Sequence, residues 1–367
     1  MSDNRLKYKT AEMLLEEKAN MPVCAGTNFA LPPGAVSPRA ALFDGASLWI
    51  TNLGSANVTR IDPSTGAGTN FALPSGAVGP SGIAFDGASL WIANVNSSNV
   101  TRIDPSTGVG TNFALPPGAN DPMAVVFDGA NVWTTNFDTH NVTRINPLTG
   151  VGTNYALPRG ALNPYRVVFD GANLWTTNSE SDNVTRIDPS TGAGTNFALP
   201  PGATGPNGLV FDGANLWTTN SESRNVTRID LSTGAGTNYA LPQFSVRPGA
   251  IADDGASLWT TNQGSNNVTR IDLSTGAGTS FALPSGAEGP SSIVFDGANL
   301  WTTNQGSNNV TRINTRAESN PTPAAPAVPA GWYPDPVGRF ELRYWDSNQW
   351  TEHVSRAGQQ FTDPPVA

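Results

Sequence analysis

The segment Asp-Gly-Ala-Ser/Asn-Leu/Val-Trp returns seven times along the chain and constrains the fold more than any other feature. Its tryptophan recurs every 42 residues, at Trp49, Trp91, Trp133, Trp175, Trp217, Trp259 and Trp301. The tripeptide Asn-Val-Thr and the segment Gly-Thr-Asn/Ser-Phe/Tyr-Ala-Leu-Pro keep the same register. Such a period indicates that each unit is one supersecondary structure and that the fold arises by packing the units against each other.

Each unit is predicted to form four short strands. In the second unit, an apolar run that ends at an Asp-Gly turn is followed by three more runs between Gly- and Pro-rich turns. These strands are predicted at 82–85, 89–94, 99–104 and 110–116. Four strands in 40–45 residues are typical of a β-propeller blade, and no unit shows the 3.6-residue apolar period of a helix. We therefore predict an all-β protein, a closed seven-bladed β-propeller with 42-residue blades.

The first and last repeat elements predict how the ring closes. With the strands of a blade called A to D from the axis outward, the repeats begin with a lone D strand at 26–31. They end with strand C near Asn314. The N-terminal strand is therefore expected to complete the last blade, which leaves no open sheet edge.

Residues that are the same in every unit are predicted to be structural. The tryptophans of strand B are expected in the core between neighbouring blades. The arginine of strand C, such as Arg60, is expected to pair with a carboxylate or carbonyl of a blade. The seven Asn-Val-Thr sequons would accept glycans only in a eukaryotic secretory context, and we interpret them as structural.

The two ends of the chain differ from the repeats in composition. Residues 1–24 are predicted to be an N-terminal extension, 25–314 the propeller and 315–330 a Pro/Ala-rich linker. Residues 331–355 carry the motifs Gly-Trp-Tyr-Pro-Asp-Pro and Arg-Tyr-Trp-Asp-x-x-x-Trp-Thr-x-His. These motifs resemble a short bacterial domain of unknown function. We expect a small β domain of two or three strands, followed by a disordered tail at 356–367.

Composition excludes several classes of function. The net charge of −9 argues against a nucleic-acid partner, and the single Cys24 cannot form an internal disulfide. All three lysines lie within the first 18 residues, so the repeats hold neither a Schiff-base nor a phosphate-loop lysine. No apolar run is long enough for a transmembrane helix. The lack of a signal-peptide pattern predicts a cytoplasmic protein, with an exported or cell-envelope protein as the alternative.

Binding residues are expected where the units differ from one another. Variation is concentrated in the D-to-A and B-to-C connections, which are predicted to share one face of the ring, the loop face. The candidates follow the strand-A proline or lie in the B-to-C loops of the third to fifth units. They are Arg39, Met123, Phe137, Asp138, His140, Tyr165, Arg166, Glu180, Asp182, Asn207, Glu222 and Arg224.

Two interpretations of these residues remain open. Asp138, Glu180 and Glu222 occupy equivalent positions in successive units. Together with Tyr165 and Arg166 they would form an acidic, partly aromatic patch for a cationic or polar ligand. Alternatively, they are solvated loop tips that have drifted from the consensus. Because stacked sheets stand about 10 Å apart, the three carboxylates are not expected to share a metal ion, and no metal site is predicted.

The repeated residues resemble two groups of bacterial propellers. Leu-Trp-x-Thr-Asn, followed by Asn-Val-Thr-Arg-Ile-Asp-Pro-Ser-Thr-Gly, is similar to Tyr-Val-Thr-Asn repeat propellers. The complete unit, with Phe-Ala-Leu-Pro and Gly-Pro-x-x-Ile, resembles the virginiamycin B lyase (streptogramin lyase) family. That resemblance implies a catalytic histidine after the strand-A proline and an acidic partner at the end of strand B. Here no unit has histidine after that proline, and strand B ends in asparagine, which cannot act as a general base.

These observations lead to one leading hypothesis and two alternatives. The leading hypothesis is a monomeric, non-enzymatic scaffold without cofactors that presents a binding face to an unknown protein or a small polar or cationic ligand. The first alternative is a lyase-like or hydrolytic enzyme that uses Mg²⁺ at the same face. Convergence of His140 and two carboxylates at the channel mouth would favour it. The second alternative is a structural repeat protein of the cell envelope.

Overall fold

The chain divides into two compact units, Met1–Thr315 and Arg316–Ala367. In the described residues their regular elements are β-strands, arranged in eight four-stranded antiparallel sheets. Among the described residues no helix is long and apolar enough to cross a membrane. The computed structural model describes residues 20–315, 331–334, 339–345, 350–356 and 359–362.

Seven sheets come from the repeats, and each contains strands A to D in spatial order. The A strands of blades 1 to 7 are Pro38–Phe43, Pro80–Phe85, Pro122–Phe127, Pro164–Phe169, Pro206–Phe211, Pro248–Asp253 and Pro290–Phe295. The B strands are Leu48–Asn52, Leu90–Asn94, Val132–Asn136, Leu174–Asn178, Asn215–Asn220, Ser257–Asn262 and Leu300–Asn304. The C strands are Asn57–Ile61, Asn99–Ile103, Asn141–Ile145, Asn183–Ile187, Asn225–Asp230, Asn267–Asp272 and Asn309–Ile313. The D strands are Gly68–Ala72, Gly110–Ala114, Gly152–Ala156, Gly194–Ala198, Gly236–Ala240, Gly278–Ala282 and, for blade 7, Gly26–Ala30.

Contacts between the inner strands close the ring. Strand A of each blade contacts strand A of the next, and strand A of blade 7 contacts that of blade 1. The strand Gly26–Ala30 pairs antiparallel with Asn309–Ile313, which confirms that the N-terminal strand completes the last blade. Just upstream, the N–H of buried Cys24 donates a hydrogen bond to the Ala282 carbonyl at 2.9 Å. The chain before the first strand therefore also lies along the outer strand of blade 6.

The turn between strands A and B explains why an aspartate and a tryptophan recur together. In blade 4, Asp170 Oδ1 accepts hydrogen bonds from the backbone N–H groups of Ala172 and Asn173 at 2.8 and 2.6 Å. Its Oδ2 accepts one from Trp175 Nε1 at 2.6 Å. The same Asp–Trp bond occurs in every other blade. One carboxylate thus fixes the turn and satisfies the only polar atom of the indole. All seven tryptophans are 0 % exposed, so their prediction as core residues is confirmed.

The arginine of strand C connects neighbouring blades. The Arg102 guanidinium lies 5.9 Å from the Trp91 ring centre and 5.4 Å from that of Phe113. Its Nη1 donates to the Pro147 carbonyl of the next blade at 3.0 Å. Equivalent bonds join blade 1 to 2, blade 3 to 4 and blade 7 to 1. The expected carbonyl partner is therefore confirmed in these blades.

The Asn-Val-Thr side chains form a hydrogen-bond network within each blade. In blade 3, Asn136 Nδ2 at the end of strand B donates to Asn141 Oδ1 and Thr143 Oγ1. The Thr143 hydroxyl donates to Asn154 Oδ1 in strand D. The Asn141 Nδ2 atom donates to the Gly118 carbonyl in the preceding loop at 2.6 Å. The amide nitrogen that a glycan would occupy is thus used inside the fold, as the structural interpretation expects.

The second unit contains one sheet, whose strands also follow in sequence order. They are Gly331–Pro334, Leu342–Trp345, Trp350–Arg356 and Gln359–Thr362. The expectation of two or three strands with a disordered tail at 356–367 was wrong at this point, because Gln359–Thr362 pairs with the preceding strand. Its sequence, Gln-Gln-Phe-Thr, has one apolar residue and carries no strand pattern. Most of the predicted linker at 315–330, from residue 316 on, and residues 1–19 lie outside the described residues.

Candidate binding site at the ring axis

The D-to-A and B-to-C loops of each blade are hydrogen-bonded to each other, so they share one face of the ring. In blade 1 the N–H of Leu53 donates to the Ser37 carbonyl, and that of Gly54 to the Val36 carbonyl, both at 3.0 Å. Backbone bonds between the same two loops recur in the other blades. The loop face expected from the variable connections is therefore present.

Strand A begins with a β-bulge just after its proline. In blade 4 the register with strand B shifts between Pro164 and Val167, which leaves Tyr165 and Arg166 outside the ladder. Thr177 Oγ1 accepts the N–H of Arg166 at 3.1 Å and donates to the Asn207 carbonyl of blade 5 at 3.0 Å. Threonine hydroxyls make the same pair of bonds in blades 1, 3 and 5. In these four blades the backbone of the bulge is thus held independently of the side chain that follows the proline. In blades 2 and 7 that side chain, Ser81 or Ser291, instead donates hydrogen bonds to the backbone of the next blade.

Side chains from blades 1, 3 and 4 meet in a cluster of Arg39, Phe137, Tyr165 and Arg166, the central cluster. Arg39 Nη2 donates a hydrogen bond to Tyr165 Oη. Because blades 1 and 4 are three apart in a closed ring of seven, this bond crosses the ring axis. The guanidinium carbons of Arg166 and Arg39 lie 5.2 and 6.0 Å from the centre of the Tyr165 ring. Phe137 packs edge-on against the same ring, with 6.2 Å between centroids.

A cavity of about 30 Å³ lies beside the central cluster. This volume is enough for at least one water molecule. Its lining comes from five adjacent blades and consists of Arg39, Tyr165, Arg166, Asn207, Gly249, Gln263, Pro290 and Ser291. Five of these eight residues directly follow a strand-A proline. The side chains at the position where the units differ therefore converge on the axis.

The central cluster carries two positive charges. Burial, and in addition the charge of Arg39, lower the pKa of the Arg166 guanidinium, whereas Tyr165 acts in the opposite direction. Arginine keeps its proton in proteins, so the group stays charged at neutral pH. Among the described residues no carboxylate forms an ion pair with Arg39 or Arg166. The axis is thus locally cationic in a chain of net charge −9.

Two carboxylates lie side by side on blade 3, outside the cavity lining. Burial, followed by the charge and hydrogen bond of Asp138, raises the pKa of Asp121. Asp121 precedes the strand-A proline and was not among the sequence candidates. Glu180 and Glu222 are exposed on the next two blades. Within the part of the chain that is described, no three His, Cys, Asp or Glu side chains are grouped so as to hold a metal ion.

His140 and Asp182 contact the backbone of the following blade. His140 Nδ1 accepts the N–H of Asn163 at 3.0 Å, and Asp182 Oδ1 accepts that of Gly205 at 2.9 Å. Asparagines at the equivalent position do the same from blades 6 and 7. The acceptor residues all have positive φ, including 51° for His140. These two candidates therefore have a role in joining blades. Among the described residues His140 is not grouped with two carboxylates in a way that could hold a metal ion.

The remaining candidates are spread over the loop face. Met123 is half-buried after the strand-A proline of blade 3, and exposed Arg224 lies in a B-to-C loop. Neither lines the cavity, nor do Glu180 and Glu222. Conversely, the sequence candidates lacked four lining residues, Gly249, Gln263, Pro290 and Ser291. Gln263 starts the B-to-C loop of blade 6, where Gln replaces the Leu, Val, Phe or Ser of the first five units, and that replacement was the available signal.

Comparisons with known proteins support the propeller fold. The sequence model of the virginiamycin B lyase family matches residues 24–172 and 168–350. A catalytically inactive virginiamycin B lyase from Staphylococcus aureus, solved with quinupristin, has TM-score 0.71 and 24 % identity over 79 % of this chain and 98 % of its own. A streptogramin B lyase structure has TM-score 0.70 and 22 % identity over 79 and 97 %. U3-55K has TM-score 0.66 at 10 % identity, over 80 and 99 %. No curated protein matches the chain.

Proposed function

The chain belongs to the virginiamycin B lyase family, but we propose that its propeller is a non-enzymatic binding scaffold. It holds a small polar ligand, or a segment of a partner protein, on the loop face at the ring axis. One observation carries the proposal: side chains from the position at which near-identical units differ line a single cavity.

The reason to connect this variation with binding is that the scaffold does not need the side chains of Tyr165 and Asn207. In their blades the bonds that hold the bulge come from threonine hydroxyls and backbone groups. The serines at the same position of blades 2 and 7, Ser81 and Ser291, do bond the next blade. The side chains of Tyr165 and Asn207 are half-buried and are not part of those bonds. A few polar groups placed around a preformed cavity are typical of ligand sites.

The available bases support binding over a lyase reaction. His140 Nδ1 already accepts a backbone N–H. Asn136, at the end of strand B, uses its amide to donate two hydrogen bonds. An amide does not titrate, and a general base must be free to take a proton from the substrate. Neither position of the family's acid–base pair carries a group of that kind in this chain.

Ligand binding at the axis is tested with a mixture of the twenty N-acetyl amino acids and saturation-transfer NMR. The full chain is compared with Asn207→Leu, which places an apolar side chain in the cavity lining. Asn120→Leu, at an exposed loop-face position of blade 3, is the matched control. We expect signals from at least one component with the wild type and Asn120→Leu, and their loss with Asn207→Leu. Equal signals in all three proteins would show that the ligand does not bind at the axis.

The absence of catalysis is tested with quinupristin, with and without Mg²⁺. The full chain is incubated with the compound, and ring-opened product is measured by mass spectrometry. We expect no product above the protein-free blank. Turnover that scales with protein concentration would overturn the non-enzymatic proposal and favour the lyase.

A further inference from the structure

We propose that the central cluster and its cavity form a site for a single carboxylate group. The inference rests on the proposed function and names the chemistry of its ligand. The carboxylate belongs either to a small acid or to the C-terminus of a peptide, because both present the same planar group.

The first step of the argument is the excess of cationic donors at the axis. Arg39 and Arg166 lie against the same tyrosine ring, and each guanidinium has five N–H donors. Tyr165 Oη accepts from Arg39. Within the described residues the Arg166 guanidinium contacts the ring and has no hydrogen-bond acceptor. By contrast, the strand-C guanidinium of Arg102 has both an aromatic contact and a backbone carbonyl.

The second step is the repulsion between the two arginines. Like charges held against one half-buried ring repel each other, and no carboxylate within the described part of the chain offsets the repulsion. An anion bound between or beside them removes this repulsion and satisfies the free donors. Arginine forks match the two oxygens of a carboxylate in geometry as well as charge.

The third step is the lining of the cavity. Among the described residues no acidic side chain lines it, and Asn207 and Gln263 add neutral amide groups. A bound carboxylate therefore meets only cationic and neutral groups there.

The surrounding loops restrict which carboxylates can approach. Asp138, Glu180 and Glu222 are exposed on the B-to-C loops of the same face. Their charges disfavour polyanions, for which each further acidic group meets like charge. A ligand with one carboxylate and a neutral or cationic remainder fits both the cationic axis and the acidic loops around it.

The experiment measures binding of N-acetylglycine to the full chain by isothermal titration calorimetry. Arg39→Gln and Arg166→Gln each remove one charge of the central cluster. Arg159→Gln removes one charge from an exposed position in the D-to-A loop before blade 4 and is the matched control. We expect each central substitution to weaken binding at least about tenfold, and the control to stay within about twofold. Melting temperatures of all four proteins check that they are folded.

Further probes identify the recognised group and its source. N-acetylglycinamide should bind at least about tenfold more weakly than the acid. Inorganic phosphate should not displace the acid at equal concentration, because its second negative charge is repelled by the acidic loops of the same face. Acetyl-tetraalanine with a free C-terminus represents a protein terminus. Binding of either acid supports the site; tighter binding of the peptide assigns it to a protein terminus, and equal affinity to a small acid.

Several results would overturn the inference. These are no binding of either acid up to about 20 mM, equal binding of the acid and the amide, tighter binding of phosphate, or central variants that bind like the wild type. If the amide binds as well as the acid and Asn207→Leu abolishes both, the carboxylate site is wrong while the scaffold function stands. If neither binds and quinupristin is converted, the scaffold function fails as well.

Discussion

Trp175 and Tyr165 are large aromatic residues of the same blade, and they illustrate two regions of the ring with different requirements. Trp175 is fully buried, bonded to Asp170 and present at the same position in every blade. Tyr165 is half-buried, outside the strand ladder and the only tyrosine at its position among the seven units. Packing between blades therefore determines residue identity in the blade bodies. The axis at Tyr165, where backbone and threonine bonds hold the bulge, tolerates residues suited to a ligand.

Removal of the N-terminal strand tests the blade bodies most severely. Deletion of residues 1–32 takes strand D from blade 7, together with the packing of Phe29 on Trp301 at 5.6 Å between ring centroids. We expect the free energy of unfolding to fall by more than about 5 kcal/mol, or the ring not to fold, in urea denaturation. A synthetic peptide of residues 20–32 added in trans should restore part of the loss. An unchanged unfolding midpoint would contradict the closure.

Two truncations compare the regions directly. Trp175→Ala leaves a large cavity between blades and an unsatisfied Asp170 oxygen, so we expect a loss of about 3–5 kcal/mol. Tyr165→Ala removes a half-buried side chain at the axis, and we expect a loss within about 1 kcal/mol. Both are measured from urea unfolding curves. Similar losses in the two variants would mean that the axis is as much a part of the packed scaffold as the blade bodies.

Asp253 lies in a blade body, but its identity differs from that of the equivalent residue in the other blades. The other six units have phenylalanine there, and burial raises the pKa of Asp253. We expect Asp253→Phe to stabilise the ring by about 1–2 kcal/mol, measured by urea denaturation. Because the folded-state pKa is raised, the wild type loses stability as pH rises through it, and the gain should be larger at pH 7 than near pH 4. Asp253→Asn, which only removes the charge, should gain less; a loss with both variants would refute this account.

The smallest effect that we predict is a loss of stability in acid, caused by the turns between strands C and D. Hydrogen bonds from the Ser232 side chain and from Thr233 lower the pKa of Asp230 from 3.8 to about 2, and bonds from Ser274 and Thr275 do the same for Asp272. A lowered folded-state pKa contributes stability above the unfolded value, and this is lost as pH falls from about 4 towards 2. The melting temperature should therefore decrease over that window.

The chain supplies its own control for the acid effect. In blade 3, Asn146 Oδ1 accepts the N–H groups of Leu148 and Thr149 in the same turn without titrating. The double substitution Asp230→Asn and Asp272→Asn should keep the turns and reduce the decrease in melting temperature between pH 4 and 2. An identical pH profile in wild type and double variant would show that other groups cause the acid sensitivity.

Most of the fold follows from the sequence, whereas the site follows only in part. Turn residues and strand patterns repeat with the same spacing, so blade number and boundaries can be predicted from local information. The candidate list contained Arg39, Tyr165, Arg166 and Asn207, because each differs from the residues at the equivalent position of the other units. It lacked Gln263, although Gln at that position departs from the first five units. It included His140, whose Nδ1 accepts an N–H from a neighbouring blade, and that contact has no local signature.

The sequence by itself determined that seven four-stranded units close through an N-terminal strand, because strand pairing and turn chemistry depend on neighbouring residues and recur in every unit. Only the tertiary structure decided that Arg39 and Tyr165, 126 residues apart, form a hydrogen bond across the axis. Ring closure places the same position of all seven blades around one axis. Which of those side chains then meet depends on their length and direction and on which blades face each other, and no local pattern of residues encodes that.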